Sequence, residues 1–520
     1  MMVCLIMFPS SSNFSVDISI CLSTIIILLY LYWTRNFNYW KNRGIPYKKP
    51  IPFFGNIKDV LTFRKSIGMN LKDIYDEMDG PYLGIFIMDK PALLLKNLDV
   101  IKNILVTDFN NFCDRTLTQR KSDLGSSLLP LMKNPDWKAY RKLLTPAYSS
   151  GRIKTMYNIV VDNGVELVRH IAKIMEKTDV MDARHEATLY GAEVITSTAF
   201  GLKGDCFEDE NSGFKKAAER IFDFNDRSRA IATSCYMMFH SLVHIFRLKF
   251  VEPRSEKFLK DEFFKTVKYR QENNITRSDF VDILMNLKKN NKVNEVQMDD
   301  EKMVAQAITF FIAGFETTSA TISFSLYELA KNPEIQEKVR EEVSPIFDEH
   351  EFIPYETVNT GMAYTGWVMK ETLRKYPPAP HLSRTCLNNY RIPGTNDVIP
   401  KGIPVFLPVY ALQTDPENYP EPEKFIPERF SPDNAEHFKA FSWLPFGGGP
   451  RSCLGERFAT VSVKSAIANI IYNFEVELSD KSLSEMEFHP RAFTTAPKTM
   501  TLPLRFKKIH RETTKYPIKF

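Results

Sequence analysis

The sequence predicts a mainly α-helical protein with small β-sheets, preceded by one transmembrane helix. Helical periodicity dominates the middle of the chain, in Lys138 to Leu144, Ile153 to Lys177, Glu186 to Phe200 and Phe214 to Asn225. Strand-like runs are short, as in ALLLK (92 to 96) and PVFLPV (404 to 409). The third observation is a stretch from Asp299-Asp300, good helix-starting residues, to Lys331, just before Asn332-Pro333. It holds no proline and one glycine, Gly314, and predicts a helix of about 32 residues and roughly 48 Å, long enough to cross a whole domain.

The N-terminus comes first in chain order. Val16 to Trp33 is apolar except for Asp17, and as a helix it reaches roughly 27 Å, enough for a thin bilayer. Tyr30, Tyr32 and Trp33 cluster at its end, where an aromatic belt sits at a membrane surface. Arg35, Lys41, Arg43, Lys48 and Lys49 follow, while residues 1 to 15 carry no basic side chain. By the positive-inside rule, residues 1–15 form a short luminal segment, 16–34 an uncleaved signal anchor, and everything beyond lies in the cytosol. Asn13-Phe14-Ser15 is then a luminal glycosylation sequon. Pro46, Pro50 and Pro52 make residues 35–52 a basic, proline-rich linker. No further linker, repeat or low-complexity tract follows, so residues 53–506 read as one domain and 507–520 as a basic tail.

Composition narrows the function. An apolar fraction of 44% and a charged fraction of 25% are those of an ordinary folded protein. Lys and Arg (68) barely exceed Asp and Glu (63), and a net charge of +5 gives no footprint for nucleic acid. The seven cysteines are scattered, odd in number and without a CxxC pair, which argues against a disulfide framework or a structural zinc site and for a reducing compartment.

The centre of the long predicted helix, FFIAGFETTSATISF (310 to 324), is apolar almost all round, yet contains Glu316, Thr317, Thr318 and Ser319. Such a run fits either a helix packed through small residues or a polar notch that binds a small ligand and relays protons. In KETLRKYPP (370 to 378), Glu371 and Arg374 share a helix face; Arg429, in PERF, is placed to complete a buried Glu-Arg-Arg cluster. In FGGGPRSCLG (446 to 455), Gly447, Gly448, Gly449 and Gly455 let backbone N–H groups close around the sulfur of Cys453. A helix predicted over 456 to 471 turns its positive end toward that sulfur.

Phe446, Gly449, Arg451, Cys453 and Gly455 form the pattern F-x-x-G-x-R-x-C-x-G. With AGFETT, ETLR and PERF in that order, the chain resembles the cytochrome P450 family from the anchor to about residue 506, and most resembles the clan of vertebrate and insect xenobiotic-metabolising enzymes. The resemblance implies haem b, with Cys453 as proximal iron ligand and Phe446 beside the sulfur. It implies that Arg451, Arg115, Trp137, Arg141 and Arg384 hold the haem propionates, and that Thr317 and Glu316 deliver protons to bound O2. Electrons must come from outside, since there is no Rossmann fingerprint, flavin segment or ferredoxin-like cysteine cluster. An NADPH-dependent flavoprotein reductase is the implied partner, with cytochrome b5 as a second; Lys138 and Lys142 are candidate docking lysines. The implied reaction inserts one oxygen atom into a lipophilic substrate of the xenobiotic, steroid or fatty acid class, at the endoplasmic reticulum membrane. By position in the family's pattern, Thr116 to Pro130, Phe310 to Ala313, Ala379 to Leu382 and Ala492 to Thr494 line the pocket, with Phe310, Phe311 and Phe493 either aromatic walls or ordinary core residues. YMMFHSLVHIF (236 to 246) is either a membrane-dipping entrance or an ordinary buried helix. Two competing functions are a peroxide isomerase or dehydratase of the same fold, which needs no reductase, and a haem-binding sensor; Thr317 and Glu316 in a buried helix speak against both.

Overall fold

A computed structural model describes residues 14–289 and 298–510. The predicted long helix runs from Asp300 to Lys331, with the Asp299 side chain accepting from Lys302 N–H at its start and Asn332 capping its end. It is the axis of the larger hydrophobic core, in which Phe311, Ile322 and Leu329 are fully buried. The helix Ala183–Ala199 crosses it closely. A Cβ on Gly314 would stand 2.5 Å from Ile195 Cδ1, so that glycine is the place where a neighbouring helix seats. The helices Ala363–Lys375 and Glu456–Asn473 pack on its other sides.

The predicted helices appear as Asp136–Leu144, Ser150–Met175, Ala183–Ala199 and Gly213–Ile221. The last is shorter than its apolar pattern, because Asp226 caps a new helix, Arg227–Met238, by accepting from Ser228 N–H. A four-stranded sheet pairs Tyr82–Ile87 with Lys90–Leu95, then Pro404–Leu407, then Leu382–Thr385. In this register Arg384 lies opposite Val405 on the edge strand. A second sheet joins Val180–Asp182, Pro503–Lys508 and Phe474–Leu478, so ordered structure runs two residues into the segment expected as a basic tail.

The first described helix is Phe14–Thr34. Its span Val16–Thr34 has mean hydropathy 2.0 and none of it is buried in the protein, whereas the Asp300–Lys331 helix, also long and apolar, is a core element. Asn13 lies outside the described residues, as do the rest of the expected luminal segment up to that point and residues 511–520. The stretch after the anchor is seated on the first sheet: Trp40 is fully buried and donates through Nε1 to Ile85 O at 3.2 Å, and Arg35 pairs with Asp89 at 2.9 Å.

Candidate active site

The glycine-rich loop closes as its composition requires. Cys453 N–H donates to Phe446 O at 2.7 Å, which turns the chain back on itself, and Gly455 N–H donates to the Cys453 sulfur. Gly449 takes φ +68°, and a Cβ there would stand 1.9 Å from Leu105 O, so the segment Asn103–Thr107 is what makes this glycine necessary. Gly455 differs: it has an ordinary negative φ, and a Cβ on it would meet no protein atom within 4 Å. The helix Glu456–Asn473 starts immediately after it.

Cys453 is accessible to a water-sized probe and yet so enclosed by protein that burial pushes its thiol above the ordinary value, with Gly455 N–H and then Arg115 and Arg141 among the groups pulling it back. Accessible surface without bulk solvent is the signature of an interior cleft. Ala313 shows the same surface in the middle of the otherwise buried central helix, and Thr317, one turn on, is partly accessible. The sulfur's charge also reaches Tyr148, an aromatic neighbour that the sequence did not single out.

Five cations gather around this cleft. Arg451 is 3% exposed; its Nε donates to Cys113 O at 2.6 Å, its Nη2 to Met132 O at 2.8 Å, and its guanidinium lies 4.1 Å over the Trp137 ring. Arg115 Nη2 donates to Arg451 O at 3.4 Å and Arg141 Nη1 to Ser452 O at 2.8 Å, so both hold the backbone of the cysteine loop. Lys133 donates to Arg115 O. Arg384 is 1% exposed and its Nη1 donates to the neighbouring Ser383 O. Asp114, 3.5 Å from Arg451, is the carboxylate among them. Burial above all, and then the charge of Arg115, pull Arg384 and Arg451 well below the ordinary guanidinium value. A guanidinium does not shed its proton in a protein, so that pressure is a demand for an anion. Arg384 Nε and Arg451 Nη1 are buried without any hydrogen-bond partner.

Glu316 and Thr317 are neighbours in sequence but face different ways. Thr317 Oγ1 donates to Ala313 O at 2.7 Å, on the cleft side. Glu316 is buried, and its Oε1 accepts from Arg184 Nη2 at 2.9 Å, at the start of the crossing helix. The predicted structural cluster is brought together in full. Arg374 grips Glu371 through Nε and Nη2, both at 2.8 Å, with neither side chain exposed, and Arg429 approaches Glu371 at 3.4 Å. Arg374 also donates to Gln413 O and Pro422 O, fixing the loop before PERF.

Two open aromatic readings are decided. Phe311 packs into a ring cluster with Phe200 and Phe214, and Phe310 packs on Tyr148, Phe280 and Phe458; both belong to the core, because the helix turns their faces toward neighbouring helices. Ile312 and Ala313 present the accessible surface instead. Phe493 stacks on Phe222 at 5.9 Å and meets Phe224 at 5.4 Å, a ring cluster whose other two members the sequence did not single out. Within 236 to 246, Ile245 and Phe246 are about two-thirds exposed, 68% and 67%, which removes the reading of that stretch as wholly buried.

Comparison with known proteins agrees with this geometry. The family model for cytochrome P450 matches residues 45–504. Similar proteins include cytochrome P450 6k1 of Blattella germanica, 36% identical over 512 residues that cover 95% of this chain and 97% of that protein. Cytochrome P450 6j1 of the same cockroach is 38% identical over 475 residues (90% and 93%), and cytochrome P450 6A1 of Musca domestica 34% over 487 (91% and 95%). With the family's cysteine loop, central helix and Glu-Arg cluster all in one fold, the chain belongs to the cytochrome P450 family and is a haem-dependent monooxygenase.

Proposed function

We propose that this protein is an NADPH-dependent microsomal monooxygenase that inserts one atom of O2 into a lipophilic substrate. Electrons come from a membrane-bound flavoprotein reductase, with cytochrome b5 as a second donor. The observation that carries the reading is the crowd of buried, incompletely paired arginines around an accessible, desolvated cysteine. Haem b fits that set: Arg384 and Arg451, with Arg115, Arg141 and Trp137 alongside, would hold its propionates through the donors that the protein leaves free, and Cys453 would hold its iron. When bound, this haem supplies the reductive activation of O2.

The chain's own residues do the rest. Gly455 N–H and the start of the Glu456–Asn473 helix stabilise negative charge on the Cys453 sulfur, and Phe446 and the glycines exclude water from it. Thr317, on the accessible face of the central helix, holds a proton at its Oγ1 beside the site of reaction, and Glu316 supplies it. The Glu371, Arg374 and Arg429 cluster is structural. Residues 16–34 anchor the protein in the endoplasmic reticulum membrane, 35–52 connect the anchor, and 53–506 form the catalytic domain on the cytosolic side. Lys138 and Lys142, both exposed, meet an acidic reductase surface. Substrate is a xenobiotic, steroid or fatty acid held against the accessible Ile312 and Ala313 surface of the central helix.

The reduced protein with carbon monoxide is expected to show the strongly red-shifted Soret band of a thiolate-ligated haem, and Cys453→His to lose it; a histidine-type spectrum from the unmutated protein removes the central claim. Thr317→Ala is expected to keep haem and uncouple NADPH consumption from product, and unchanged coupling removes the relay role.

A further inference from the structure

We propose that the membrane anchor is rigidly joined to the catalytic domain rather than tethered to it, with Asp89 as the clamp, so that the chain itself sets the tilt of its haem against the bilayer. The inference rests on the reading of residues 16–34 as a membrane anchor. The backbone leaves no swivel between anchor and domain. The anchor helix ends at Thr34, and the chain goes on in closed turns: Phe37 N–H donates to Thr34 O at 3.0 Å, Tyr39 N–H to Asn36 O at 2.8 Å and Arg43 N–H to Trp40 O at 3.0 Å. By Pro46 it is already paired with the first sheet, since Gly84 N–H donates to Pro46 O at 2.7 Å and Lys48 N–H to Gly84 O at 3.0 Å. The prolines thus lie along the sheet, past the point where the anchor attaches.

Side chains fix the joint along its whole length. Arg35 Nη2 lies 2.9 Å from Asp89 Oδ2, and Asn36 Nδ2 donates to Asp89 O at 3.1 Å, so the first two residues past the helix both hold the turn between Tyr82–Ile87 and Lys90–Leu95. The Arg35 guanidinium is held from the other side by the Tyr32 ring, 3.8 Å away, and by Tyr32 O, which ties the same contact back into the anchor helix. Trp33, within that helix, meets Phe53 with ring centroids 6.2 Å apart, and Phe37 meets Phe86 at 5.4 Å. Phe53 takes a left-handed φ of +67°, a strained position for a bulky residue, and yet is 38% exposed. That strain is not offset by burial within the domain; what the ring meets in return is the anchor's Trp33. Trp40 rests on the backbone of Gly84, where a Cβ would stand 2.5 Å from the indole Cδ1. A single exposed ion pair holds little by itself. Contacts spread from Trp33 to Trp40 act together as a lever arm: they transmit direction, which one contact point does not. Asp89 is the clamp among them because it takes both Arg35 and Asn36, and its own side chain is only 12% exposed.

The experiment uses the full-length, haem-loaded protein in phosphatidylcholine vesicles and follows the absorption anisotropy of the haem after a polarised flash releases carbon monoxide. A rigidly joined domain wobbles only with its anchor, so a large residual anisotropy is expected. Insertion of a Gly-Ser-Gly-Ser segment between Thr34 and Arg35 is expected to cut it several-fold. Asp89→Arg, which sets two positive charges against each other, is expected to approach the insertion protein, and Arg35→Glu combined with Asp89→Arg to recover most of the unmutated value. Lys41, Arg43, Lys48 and Lys49 keep the anchor's orientation in that pair. In detergent, all these proteins are expected to give the unmutated carbon monoxide spectrum. If Asp89→Arg does not fold, Arg35→Ala combined with Asn36→Ala, at positions that are not buried, takes its place and is expected to lower the anisotropy likewise. A residual anisotropy equal in the unmutated and insertion proteins overturns the rigid joint. One lowered by the insertion but by neither Asp89→Arg nor the alanine pair overturns the role of Asp89. If alkaline carbonate strips the unmutated protein from the vesicles, the anchor reading falls and the joint with it.

Discussion

Two regions of this molecule use buried arginine for opposite ends. Around Glu371, the buried pair is answered: Arg374 spends its donors on one carboxylate and on three backbone carbonyls, neither Arg374 nor Glu371 touches solvent, and Arg429, whose Nε makes no hydrogen bond, has that carboxylate as its counter-charge at 3.4 Å. Around Cys453, Arg384 and Arg451 sit as deeply, repel each other and leave donors with no protein partner. Burying a charge without its counterpart is costly, so a fold keeps such a cluster only where something else completes it. The finished cluster is a structural pin and the unfinished one is a binding site; the difference lies in partners, not in burial or residue type.

The largest expected effect breaks the finished cluster. Glu371→Gln leaves Arg374 uncompensated at zero exposure, a loss of about 3 to 5 kcal/mol. That is a large share of a typical domain's stability. Soluble, haem-loaded protein is expected to fall to a small fraction of the unmutated yield, measured by the carbon monoxide spectrum per unit of protein. A fully loaded Glu371→Gln protein would show that the cluster is dispensable.

A smaller effect separates two glycines of the cysteine loop that look alike in sequence. Gly449→Ala drives a methyl into Leu105 O and forces an alanine to a left-handed φ, costing about 2 to 5 kcal/mol together. Gly455→Ala meets no protein atom and is expected to change the stability of the cofactor-free protein by about 0.5 kcal/mol or less. Thermal melting with and without haem reads both. A Gly455→Ala loss that appears only with haem supplied locates the cofactor against that face, and equal losses for the two alanines would contradict the loop geometry.

What the sequence made legible and what it did not follows from distance along the chain. The central helix announces itself through Asp299, Asn332 and Pro333, all local, and its bounds fall where those residues predict. Glu371 and Arg374 share a helical turn, and Cys453 carries its own loop. What sequence reading missed lies across long separations: Leu105 against Gly449, Arg184 against Glu316, Asp114 against Arg451. Phe310 and Phe311 stayed open between wall and core for the same reason, since apolar residues on a helix buried all round carry no mark of which neighbour they face. Local chemistry names the reaction class; the packing that tunes it is written in residues more than a hundred positions apart.

The smallest expected effect tests the unfinished cluster most directly, because its sign should depend on the cofactor. Arg384→Met replaces a buried guanidinium that has one neighbouring carbonyl, an unpaired Nε and two like charges nearby with an apolar chain. In the cofactor-free protein, exchange of an ill-matched buried ion for a packed apolar side chain is expected to be neutral or stabilising by about 1 kcal/mol. With haem present the same substitution removes a propionate partner, so the melting temperature gained on adding haem should shrink and haem should dissociate faster. The corresponding exchange in the other cluster, Arg374→Met, has no such reversal: Glu371 loses its two-pronged partner and keeps only Ile426 N–H and the more distant Arg429, whether or not haem is bound. If Arg384→Met destabilised both forms equally, Arg384 would be a second structural pin, and the contrast between the two clusters would reduce to their position in the fold.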